Sequence, residues 1–353
     1  MHRLFFVITL IGIPVSILGT LLHWSSIFMF LIYCVTIIGL ASYMGRATES
    51  LAIVAGSSVG GLLNATFGNA VELIISFFAL REGLVNVVMA SITGSIIGNL
   101  LLVGGLSILL GGFKYKRQRF NIYDAAHNTG IMVFSIIVSF IFPAVFSSKL
   151  NPGSTQILST VIASIMILIY LSSLYFRLVT HRGVYKANET DLIDVEEEEV
   201  PEWQKGKAIG VLALATLAVA YLSEHLVSTI KPVAESFGWS ELFIGIIIVA
   251  IVGNAAEHAS AVMMALKNRM DITVEISVGS TLQIAMFVAP VLVLVSWGFP
   301  TFMPLVFPLT ELIAMSLATL LIISITSDGD TNWFEGAMLL AAYVIMGFGF
   351  YLL

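Results

Sequence analysis

Apolar residues in this chain do not alternate, and they do not form a narrow helical stripe. They fill whole windows, separated by short joints carrying Gly, Pro, Asn or charge. A window of roughly 20 apolar residues is what a helix needs to cross a bilayer. Reading by that period predicts spans near 4–22, 26–44, 59–81, 84–111, 124–146, 155–178, 208–230, 241–266, 272–297, 303–324 and 334–352. The first window resembles a secretory signal, but it has no Ala-x-Ala site and runs on into more apolar chain, so it is expected to be retained. The expected class is an all-α polytopic membrane protein of about 11 transmembrane helices.

Composition agrees with this reading: 58% of the 353 residues are hydrophobic and 11% charged, whereas soluble domains carry roughly 25% charged residues. The single cysteine, Cys34, excludes a disulfide framework and a thiolate metal cluster. No basic tract suggests a nucleic-acid partner; the expected surroundings are lipid, and nothing excludes a homo-oligomer. The net charge of −6 has a local origin, because residues 189–202 hold eight acidic residues and no Lys or Arg. With the N-terminus inside, thirteen Lys and Arg fall in cytoplasmic loops and three (Arg81, Lys149, Lys231) outside. That asymmetry predicts a cytoplasmic N-terminus, an external C-terminus and a cytoplasmic acidic loop.

One internal repeat stands out. Gly68-Asn69-Ala70-Val71-Glu72 recurs 185 residues later as Gly253-Asn254-Ala255-Ala256-Glu257, and Gly94-Ser95 recurs as Gly279-Ser280. The same offset lays the second to sixth spans on the seventh to eleventh. Five crossings per copy is an odd number, so the copies are expected to be inverted, as in secondary transporters. The implied organisation is an extra N-terminal helix (1–25), a first five-helix repeat (26–180), an acidic linker (181–207) and a second, inverted repeat (208–353).

Candidate chemistry centres on Glu72 and Glu257. A charged side chain at the centre of a span costs roughly 2.5–3.5 kcal/mol on insertion scales, so each is expected to face an interior pathway. Asn69 and Asn254 lie three residues earlier, on the same helical face, and the preceding glycines allow the helix to break. Two carboxylates among neutral oxygens suit a hard divalent cation such as Ca²⁺, which takes 6–8 oxygen ligands. Ser95 with Asn99, and Ser280 with Gln283, are further candidate ligands, although small and amide residues also pack membrane helices. His258 is a candidate for proton coupling beside Glu257, without a counterpart in the first copy. Glu49 and the run Glu196, Glu197, Glu198 and Glu199 are candidates for an entrance or regulatory role, set against ordinary solvation. No cofactor is implied, and with no His-Glu-x-x-His and no soluble catalytic domain an enzyme is not expected.

The paired GNAVE and GNAAEH motifs, in an eleven-span pattern with an acidic linker, resemble the cation/proton exchanger family of the calcium/cation antiporter superfamily. That resemblance implies two inverted five-helix repeats, essential glutamates at Glu72 and Glu257, and roles for Gly279, Ser280 and Gln283. It implies a bacterial Ca²⁺/H⁺ antiporter of the plasma membrane that exports cytoplasmic Ca²⁺, with cation and protons competing for the glutamates. The chain lacks the long N-terminal tail of plant relatives and the proline-containing motif of the Na⁺/Ca²⁺ branch. A proton-coupled Na⁺ or K⁺ antiporter stays open as an alternative, and a cation channel as a more distant one.

Overall fold

The computed structural model describes residues 2–181 and 200–353. The protein is an all-helical, polytopic integral membrane protein. Its elements in order are α1 (His2–Leu21), α2 (Ser26–Ala55), α3 (Ser57–Phe67), α4 (Ala70–Arg81), α5 (Val85–Lys114), α6 (Ile122–Ser147) and α7 (Pro152–Thr180). They continue with α8 (Lys205–Phe237), α9 (Glu241–Gly253), α10 (Ala255–Leu266), α11 (Met270–Ser296), α12 (Leu309–Thr326) and α13 (Trp333–Leu352). Two short strands, β1 (Gln118–Arg119) and β2 (Asp330–Thr331), pair antiparallel between the α5–α6 and α12–α13 joints. Arg117 and Asp330 form an ion pair beside them.

Among the described residues, nine helices are singly long and apolar enough to cross a membrane, and the pair α9–α10, bent by 61°, makes a tenth. Every window expected from hydropathy overlaps one of these helices or a broken pair, with four departures in form. The windows 59–81 and 241–266 are each two half-helices, broken at Gly68-Asn69 and at Asn254. The window 26–44 continues to Ala55, because the polar residues that seemed to end it are engaged. Arg46 pairs with Glu202, and its guanidinium lies 5.3 Å from the Tyr43 ring and 4.8 Å from the Trp203 ring. The window 303–324 is helical only from Leu309. Pro304 and Pro308 keep the stretch before it extended, yet Met303, Leu305 and Phe307 are fully buried. Its backbone is satisfied inside the protein, with Met303 N donating to Ser296 Oγ (3.0 Å) and Leu305 N to Ser159 Oγ (3.1 Å). Non-helical backbone persists in an apolar interior only with such partners.

Helices α2 and α8 pack side by side, α1 lies on α2, and α5 runs along α9, α11 and α13; α5 and α11 are the most deeply buried spans. The outer face of α7 exposes Ile157, Val161, Ile165, Leu168 and Leu171 at helical spacing, an apolar stripe suited to lipid. Among the described residues, five of the helical stretches contain a π-helical segment. Those at Gly98–Val103 and Ile284–Val288 follow Ser95 and Gln283, the first of them containing Asn99, so an extra backbone residue is inserted in each helix at or just beyond its candidate ligands.

Candidate ion-binding site

The two motifs fold alike because the same residues do the same local work. Asn69 (φ −102°, ψ 23°) and Asn254 (φ −93°, ψ 7°) both stand at the N-terminus of a second half-helix, outside helical geometry. Glu72 and Glu257 then fall in the first turns of α4 and α10. The positive ends of those half-helices favour a carboxylate, and the carbonyl ends of α3 and α9 arriving at the same breaks favour a cation.

Contacts between the copies are reciprocal. A methyl group placed on Gly253 would lie 2.8 Å from Glu72 Cγ, and one on Gly68 would lie 3.5 Å from Glu257 Oε1 and 3.4 Å from Gln283 Oε1. Each carboxylate side chain therefore rests on the glycine of the opposite motif. The asparagines cross over in the same way. Asn69 Nδ2 donates to Gln283 Oε1 on α11, and Asn254 Nδ2 donates to Ser95 Oγ on α5 (2.9 Å) and to Ala250 O (2.9 Å). Asn69 Oδ1 and Asn254 Oδ1 are buried acceptors with no hydrogen-bond donor among the described residues, as are both oxygens of Glu72. Burying that many unpaired acceptors is costly unless something cationic or protic meets them. Ser280 Oγ donates to Glu257 Oε2 at 2.5 Å. Among the described residues no three His, Cys, Asp or Glu side chains gather at one point. A cation here would meet two carboxylates with neutral oxygens.

The structure thus brings Glu72, Glu257, Asn69, Asn254, Ser95, Ser280 and Gln283 into one cluster. Asn99 is buried in the π-helical segment of α5, where its backbone carbonyl accepts from Ser277 Oγ at 2.6 Å and its Nδ2 is unpartnered. His258 is partly buried beside Glu257, its Nε2 without a partner. Glu49 is exposed on α2, a turn beyond Gly45, which faces Ala256 of the second motif at 3.7 Å. Glu196, Glu197, Glu198 and Glu199 lie outside the described residues.

The cluster is unequally enclosed. Glu72 is 4% exposed, while Glu257 and its neighbours on α10 are partly open. On the side toward Arg81, α5 and α9 touch backbone to backbone: a methyl on Gly94 would overlap the main chain of Ile246, and one on Gly245 would meet Ala90 Cβ at 2.6 Å. On the side toward Lys267, Gly279, the repeat equivalent of Gly94, has none of the described residues within 4 Å of a methyl placed on it. Sequence spacing located the motif residues but not this difference, since both glycines carry the same Gly-Ser signature. The contact of Thr93 with Glu311 was also missed, because neither residue has a counterpart at the 185-residue offset.

An all-helical membrane bundle with two broken helices meeting through matched acidic motifs has the build of a secondary transporter. The chain belongs to the sodium/calcium exchanger protein family, whose model matches residues 4–179 and 207–352. It is 65% identical over 353 residues to the Ca(2+)/H(+) antiporter ChaA of Bacillus subtilis (strain 168), covering 100% of both chains. Among solved structures, native YfkE superposes with a TM-score of 0.87 at 60% identity, covering 99% of this chain and 100% of that one. An H⁺/Ca²⁺ exchanger shares the fold at 12% identity, with a TM-score of 0.72 and coverage of 99% and 92%.

Proposed function

We propose that this protein is a Ca²⁺/H⁺ antiporter of the bacterial plasma membrane, with Glu72 and Glu257 as the shared site for Ca²⁺ and protons. The family and the name of its 65% identical relative support the reaction. The observation that supports the site is the reciprocal seat of each glutamate on the other motif's glycine, surrounded by acceptors without donors. Two carboxylates in a dry, shared pocket do not both stay ionised cheaply. A divalent cation relieves their repulsion and their desolvation, and so do protons. Either occupant discharges the site, and neither leaves room for the other, so the movement of one is tied to the counter-movement of the other.

The repeats stand inverted in this reading, with the N-terminus cytoplasmic and the C-terminus external, an orientation that the distribution of loop cations supports. The side toward Lys267 is then cytoplasmic, and the arrangement described here admits cytoplasmic Ca²⁺ to Glu257 while α5 and α9 seal the outside. In the opposite arrangement Gly279 closes and Gly94 opens. With protons in excess outside, the direction of net work is Ca²⁺ export.

The test is Ca²⁺-driven proton flux in proteoliposomes carrying a pH indicator. Glu72→Gln and Glu257→Gln are each expected to lower exchange by at least about 100-fold, because each removes a ligand and a proton carrier at once. Retained exchange in either variant overturns the site. A Ca²⁺ current without proton movement overturns antiport.

A further inference from the structure

Glu311 is 2% exposed, yet it belongs to a membrane-spanning helix and forms no ion pair among the described residues. An ionisable group in that setting calls for a function and a named partner. Its position in the first turn of α12 suits the helix dipole, but a dipole effect does not require the carboxylate to turn inward. Glu311 does turn inward: Thr93 Oγ1, itself 0% exposed, donates to Glu311 Oε2 at 2.5 Å. Thr93 directly precedes Gly94, where the backbone of α5 meets Ile246, and stands two residues before Ser95, which accepts from Asn254. The bond therefore grips α5 beside the seal, from a helix that is not part of the motif pairs. The buried extended stretch before α12 delivers the carboxylate to that depth.

Among the described residues the open side has no such grip at the matching place. At the 185-residue offset Val278 replaces Thr93 and Ala126 replaces Glu311, so α11 has no carboxylate behind it at the matching place. We propose that Glu311 is a positioning residue which, through Thr93, holds α5 against α9 and biases the transporter toward the arrangement sealed on the Arg81 side. This rests on the antiport reading above and adds to it a determinant of sidedness that the repeat does not supply. A contact made in one arrangement and absent from the other shifts their populations by its own free energy. The apparent affinity at each face falls in proportion to the fraction of molecules open to that face.

The readout is the ratio of Ca²⁺ KM at the cytoplasmic face to KM at the outer face, measured in inside-out and right-side-out vesicles of the full-length protein. Thr93→Val and Glu311→Leu are each expected to raise that ratio roughly tenfold, the scale of one buried hydrogen bond to a carboxylate. Glu311→Gln keeps an acceptor for Thr93 and is expected to stay within about twofold of the parent. The double variant Thr93→Val/Glu311→Leu is expected to move no further than either single one. A generally weakened protein would lose turnover on both faces with the ratio intact, and that result overturns the proposal. So does a Glu311→Gln variant as altered as Glu311→Leu. Thr93→Val, nearly isosteric, carries the test if Glu311→Leu fails to fold. Absence of Ca²⁺-driven proton flux in the parent would instead overturn the antiport reading.

Discussion

Gly253 shows how little space the cluster leaves at the scale of one methyl group. Glu72 Cγ occupies the place where a side chain at Gly253 would begin, 2.8 Å from the ideal Cβ, so Gly253→Ala must displace the carboxylate of the other repeat. Overpacking of this kind typically costs 1–3 kcal/mol. We expect Gly253→Ala to lower Ca²⁺-driven proton flux by roughly tenfold or more, with a melting temperature in detergent that falls by the same modest cost. Unaltered flux would show that Glu72 is not held where it must act. The asparagines make the complementary case. Asn69 and Asn254 each give an amide hydrogen to a residue of the opposite copy. The sequence placed these residues three positions before each glutamate, and this much was legible because helical spacing is local. Their partners lie on other helices: Ser95 came from the repeat and Gln283 from its spacing after Ser280, whereas the crossing of each pair between copies depends on three-dimensional packing that no spacing encodes.

Elements repay the same scrutiny. Hydropathy located the windows because transfer to lipid depends on composition, but it was blind to breaks, since Gly68-Asn69 and Asn254 interrupt helices without adding charge. It misread residues 303–308 for the same reason: Met303, Leu305 and Phe307 are apolar enough for a span, and only Pro304 and Pro308 warned of extended chain. That stretch depends on two serine hydroxyls from other helices. Ser159→Ala removes the acceptor of Leu305 N and leaves a buried donor unpaired, at a cost of about 1–3 kcal/mol. We expect a lower melting temperature in detergent with Ca²⁺ KM unchanged, because Ser159 is remote from the motifs. A shift in KM without loss of stability would mean that the extended stretch does more than fill the bundle.

The whole molecule is asymmetric where its sequence is repeated. Gly94 is pressed against Ile246, while Gly279 has none of the described residues within 4 Å of its ideal Cβ, so a bulky residue at Gly279 clears its described neighbours in the arrangement seen here and obstructs the opposite one. Gly279→Leu is expected to retain Ca²⁺ binding by equilibrium dialysis while turnover falls at least roughly tenfold. Equal turnover would show that Gly279 does not close during transport. The expected orientation has its own check: a thiol at Asn268→Cys should react with a membrane-impermeant reagent from the cytoplasmic side only, and the native Cys34, being buried, should stay silent. The seating of each acid on the opposite glycine carries one more consequence. Neither half contains a finished binding pocket, so severing the polypeptide between residues 181 and 200 should yield two fragments that are inert when made singly. Co-expressed, they should recover exchange by docking in the bilayer, and a fragment carrying Gly253→Ala should spoil its partner's intact Glu72.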